Sequence, residues 1–139
     1  MRLRGWEAGG GDRGTRETTE RVRQMVDGIE SAITSGNDFQ LARFLGPPAL
    51  GHLLRQVAAS RAAGQEWLPA RSGLQWRRSE RSATEPGRFW LRLRFDDRTE
   101  VRFGGESVHA AMLGHELDVE LDTTAAAWRL CRAEEVYLD

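Results

Sequence analysis

The sequence predicts an α+β domain in which three N-terminal helices pack on one face of a curved antiparallel sheet of four to five strands. Two observations carry this. The apolar residues recur every three to four positions from Thr18 up to Gly64, then every second position after it. Glycine and proline fall at the junctions, at Gly36, Gly46-Pro47-Pro48, Gly64, Pro86-Gly87 and Gly104-Gly105.

The elements follow in order. Residues 1–16 are Gly-rich, charged and aperiodic, and read as a flexible lead-in to a single domain over 17–139. Val22, Met25, Val26, Ile29 and Ile33 give the first helix its apolar stripe, and Ser35-Gly36 ends it. Asn37, followed three residues later by Gln40, has the spacing of a capping box and opens a short second helix. Gly46-Pro47-Pro48 separates it from a third helix, whose stripe is Leu50, Leu53, Leu54 and Val57.

A first strand is expected around Trp76, although Leu74 to Arg78 alternates imperfectly. Phe89, Leu91, Leu93 and Phe95 alternate with Trp90, Arg92 and Arg94, the clearest strand in the chain. Asp96-Asp97-Arg98 reverses the chain into a strand with Val101 and Phe103, which Gly104-Gly105 breaks. Leu117, Val119 and Leu121 alternate with Glu116, Asp118, Glu120 and Asp122. Trp128 and Leu130, then Val136 and Leu138, mark a last strand or strand pair. One apolar and one charged face per strand describes a sheet covered on one side, and the helices are its cover.

Composition limits the function classes. The 139 residues carry 40% hydrophobic and 29% charged side chains, as an ordered globular domain does. A net charge of -1 gives no pull toward nucleic acid or anionic lipid. All 20 basic residues are Arg, which suits bidentate and stacked contacts. Cys131 stands alone, so no intrachain disulfide forms, and it reads as a small buried residue. No apolar run reaches the roughly 20 residues of a membrane span, and Met1 to Trp6 leads into glycines, not a signal-peptide core. A cytoplasmic protein is expected, or a soluble domain of a longer membrane-anchored one.

No assembled active site is visible, and no cofactor or metal is expected. His52, His109 and His115 have no spacing that places two imidazoles on one ion. Arg92, Arg94 and Arg102 are placed on neighbouring strands with Trp90 among them. Such a face either forms an ion-pair ladder with Glu116, Asp118 and Glu120 or receives a protein partner, and RNA-binding aromatic motifs are missing from it. Trp90 falls on that face by parity and is either shielded by Arg stems or presented to a partner. Trp67, Trp76, His109 and His115 are candidates for a cleft between helices and sheet, and Trp128 for the core.

Three helices followed by a sheet that closes on Ala127-Trp128-Arg129-Leu130 resemble the cone-shaped nuclear transport factor 2-like superfamily. The run Phe44-Leu45-Gly46-Pro47-Pro48-Ala49-Leu50, a helix, then Gln65-Glu66-Trp67 and an alternating strand, is similar to the IMS domain of cyanobacterial and plastid division proteins. This resemblance, over about Glu20 to Leu138, implies a non-catalytic domain whose helix–sheet cleft accepts a partner's peptide. Homodimers through the open sheet are common in the wider superfamily, which also holds isomerases, dehydratases and cyclases using an Asp–His or Tyr–Asp pair. The expectation is therefore a protein-binding module that takes a peptide or a second copy of itself. The alternative is a small-molecule enzyme or carrier with His109 or His115 beside a carboxylate.

Overall fold

The computed structural model describes residue 6 and residues 13–83, 85–109 and 111–136. Three helices come first, α1 (Arg13–Ser35), α2 (Asp38–Phe44) and α3 (Ala49–Ala62). Strands β1 (Gln65–Leu68), β2 (Arg71–Arg78), β3 (Arg88–Asp97), β4 (Glu100–Phe103), β5 (Glu106–His109), β6 (Met112–Asp122) and β7 (Arg129–Glu135) follow. They form a four-stranded main sheet, β2-β3-β6-β7, and a three-stranded small sheet, β1-β4-β5, both antiparallel. The α+β class is the one read from the sequence.

The helices behave as their patterns dictate. Val22 and Met25 of α1 bury against Trp76, Leu91, Leu93, Phe95, Val119 and Leu121 of the main sheet. The Asn37 side chain accepts the Gln40 backbone N–H at 3.1 Å and caps α2. Leu41 and Leu45 meet Ala32, Leu53, Leu54 and Leu130 in a second core. Gly28 makes that approach feasible, because a Cβ there would stand 2.3 Å from the Phe44 ring. Gly46 N–H donates to Leu130 O at 2.9 Å, which ties the helical layer to β7. Helix α1 begins at Arg13, one turn before the start at Thr18 that its apolar stripe marks.

In the sheets, β3 is paired along both edges, and its alternation is real. Leu91, Leu93 and Phe95 turn to the helices and are buried, while Arg92 and Arg94 lie on the opposite, outer face. One expectation changes. Asp96 to Arg98 does not fold β4 back onto β3. The chain leaves the main sheet there, with Asp97 Oδ1 accepting Thr99 N–H at 3.0 Å, and β4 pairs with β1 and β5. Gly104-Gly105, with φ of 57° and 83°, ends β4 after Phe103 as expected and is the two-residue turn that leads into β5. Val136 N–H adds one bond to Glu116 O at 3.1 Å, so residues 129–136 continue one strand rather than a pair. Leu138 lies outside the described residues. None of the described helices is long and apolar enough to cross a membrane.

Candidate functional site

The charged outer face of the main sheet is largely satisfied from within, Glu116 Oε2 being buried without a hydrogen-bond partner among the described residues. Register places Arg92 opposite Asp118, and the guanidinium makes a two-pronged pair with it at 2.9 and 3.2 Å. Glu120 is 0% exposed and lies between Arg88 at 3.3 Å and Arg132 at 3.7 Å. Trp90, the aromatic on this face, is only 8% exposed because the Arg81 guanidinium stacks over its ring at 4.3 Å. Arg81 also pairs with Glu134. Trp6, from the lead-in, is stacked by Arg77 at 4.6 Å and by Arg94 at 5.8 Å.

The structure thus separates the arginines that the sequence groups. Arg92 belongs to the ladder and Arg94 faces Trp6. Arg102 is on β4 in the small sheet, not beside β3, and its partner is Glu100 at 3.0 Å. The cause is the chain's departure from the main sheet after Asp97, which alternation within β4 cannot reveal. Trp90 is shielded, not presented.

A groove of about 400 Å³ opens at the end of the main sheet where β2 finishes and β3 begins. Trp76, Phe89 and Leu91 from the sheet, Trp128 and Thr18 of α1 line it, with Arg78, Ser79, Arg81, Ala83 and Trp90 on the strand ends and the following loop. Each wall is fixed. Trp76 Nε1–H donates to Thr19 Oγ1 at 2.9 Å, which holds the indole against α1. Trp128 meets Phe89 edge-on, with centroids 5.4 Å apart and planes at 84°. Arg21 donates to Ala126 O at 2.7 Å and ties α1 to the loop that carries Trp128.

That loop is anchored in turn by Asp122. Its carboxylate accepts Thr124 Oγ1–H at 2.6 Å, Thr124 N–H at 2.9 Å and Arg129 at 2.7 Å. The bonds from Thr124, followed by the one from Arg129, hold the Asp122 carboxyl far below the usual carboxylate range. Of the residues lining this groove, Trp76 and Trp90 were singled out as candidates from the sequence, and Trp128 only as core. Phe89, Arg78, Arg81 and Thr18 were missed. Arg78 left a trace, as the residue that spoils the alternation of the first strand.

The other candidates lie apart. Trp67 on β1 lines a different groove, with Ile33 and Val57, between the ends of α1 and α3. His109 is exposed on β5 opposite Glu100. His115 on β6 packs edge-on to Phe95 at 5.3 Å, with Nε2 3.5 Å from Glu135. Neither histidine lines any groove described here. A groove between α1 and β2 is bridged by the ion pair of Glu30 and Arg71 at 3.3 Å, and burial pushes the Glu30 carboxyl up. Cys131 is buried, and that burial raises its thiol pKa. Among the described residues no three His, Cys, Asp or Glu side chains gather as a metal site.

These features define an α+β domain with a helical layer across one face of an antiparallel sheet and an aromatic groove at one end. No family model matches the chain, and no curated protein matches it. Among solved structures, the crystal structure of the intermembrane space region of chloroplast protein ARC6 has a similar fold, with a TM-score of 0.69. The match covers 86% of this chain and 96% of that one at 9% identity, so the likeness is one of fold.

Proposed function

We propose that this domain is a non-catalytic protein-interaction module of the IMS kind, and that it receives an extended segment of a partner protein in the groove between α1 and the Trp128 end of the main sheet. The groove's lining carries the reading. Trp128 and Phe89 supply apolar surface over the buried Trp76 and Leu91, Arg78 supplies donors, and no carboxylate or histidine stands in the lining. Such a surface grips side chains and fixes their orientation, but it has no acid–base pair with which to turn a substrate over. The fold likeness to the ARC6 intermembrane space region supports an interaction role. The outer face is the weaker docking surface, because Arg92, Trp90 and Glu120 already have partners within the chain.

A random peptide library displayed on phage tests this. Panning on the wild-type domain should enrich sequences whose synthetic peptides bind it, and Ala83→Trp, an exposed change at the groove mouth, should abolish that binding with the melting temperature unchanged. Peptides that bind wild type and Ala83→Trp equally would place the docking surface elsewhere.

A further inference from the structure

We infer that the groove selects segments in which an aspartate or glutamate side chain stands within two residues of a large apolar one. This rests on the groove reading above and adds the charge of the ligand. Arg78 is directly opposite Leu91 on β3, and Leu91 is opposite Val119 on β6. Both neighbours are core residues, so Arg78 occupies a position on the apolar, helix-facing side of the sheet. An arginine there would be desolvated without compensation if α1 covered it. Instead it is exposed at the groove, and among the described residues no carboxylate pairs with it. Arg81, the second cation, already stacks on Trp90 and pairs with Glu134. The groove therefore carries one guanidinium available to a ligand and no acid in its lining.

The spacing sets the motif. Phe89, which forms the aromatic wall with Trp128, is the diagonal neighbour of Arg78 across the β2–β3 pair, about 7–8 Å away. An extended peptide repeats its side chains on one side at nearly that interval, so an acid on Arg78 leaves the residue two positions away over Phe89 and Trp128. A side-chain carboxylate fits better than a chain-terminal one. Capture of a terminus uses a nest of unbonded backbone N–H groups, whereas Ser79 N–H already donates to Trp90 O at 3.3 Å and Arg81 N–H to Ser79 Oγ at 3.3 Å.

Three pools of nine-residue peptides, acetylated and amidated so that neither end is charged, test the inference by calorimetry. They share a Phe and differ two residues before it, where one carries Glu, one Gln and one Lys. The Glu pool should bind wild type on the order of tenfold tighter than the Gln pool, as a charge-assisted hydrogen bond provides. Arg78→Gln should remove that margin, and Arg78→Glu should shift the preference to the Lys pool. Equal binding of the Glu and Gln pools, lost together in Ala83→Trp, would overturn the charge selectivity and leave the groove reading standing. Pools that bind Ala83→Trp as well as wild type, or bind neither, would remove the groove reading itself and the selectivity with it.

Discussion

The two faces of the main sheet are built from similar residue types and have opposite chemical states. On the outer face, arginine, carboxylate and tryptophan satisfy one another, as in the Arg92–Asp118 fork and the Arg81 stack over Trp90. At the end of the inner face, Phe89, Trp128 and Arg78 line an open groove beside α1. A charged, aromatic surface is thus not adhesive merely because its residues are. What remains for a partner is decided by which donors and apolar edges the fold has left without an internal match.

The largest expected effect joins the two faces. Trp76 lies beneath the groove, and Trp76→Ala removes a core side chain together with its bond to Thr19, so it should cost about 3–5 kcal/mol of stability in chemical denaturation. Trp76→Phe keeps most of the volume and should cost about 1–2 kcal/mol. A cost under about 0.5 kcal/mol for the alanine variant would mean that α1 is not docked through this residue.

Next comes the outer fork. Arg92→Ala leaves Asp118, which is 7% exposed, without its guanidinium and should cost about 1–2 kcal/mol after allowance for the partly exposed arginine. Its affinity for groove-selected peptides should stay within about twofold of wild type, well under 1 kcal/mol. A tenfold loss of peptide affinity in this variant would erase the distinction between the faces.

The Asp122 loop gives a pH-dependent test. A carboxyl held below its unfolded value contributes stability above about pH 4, and that stability is lost as pH falls through the acid range. Thr124→Ala removes the leading hydrogen bond, so the acid limb of the stability profile should become shallower, with stability at neutral pH also reduced. An unchanged acid limb would show that Asp122 is not held in this way. The smallest effect belongs to Trp6. Its stack with Arg77 and Arg94 is a surface cation–π contact, and Trp6→Ala should cost no more than about 1 kcal/mol with peptide binding unchanged.

Most of the fold was legible in the sequence because local pattern decides it. The stripe from Val22 to Ile33, the Asn37 cap and the alternation from Phe89 to Phe95 each report a burial that neighbouring residues share. The second sheet was not legible. Gln65 to Leu68 and Glu106 to His109 are four residues each with little alternation, and their pairing through β4 is a long-range fact. The site was half legible for the same reason. Parity assigned Trp90 to the charged face, but it could not show that Arg81, from the loop after β2, would cover it. The imperfect alternation before Arg78 carried the missing signal, an arginine on an apolar face, which is a conflict worth following when it sits at the end of a strand.

The most direct test of the distinction is the set of tryptophan indole N–H signals in a nitrogen–proton correlation spectrum, followed as a groove-selected peptide is added. The Trp128 and Trp76 signals should shift, and those of Trp6 and Trp67 should stay in place. Shifts at Trp6 and at the Arg92 side-chain N–H, with Trp128 unmoved, would contradict the account and put the partner on the outer face.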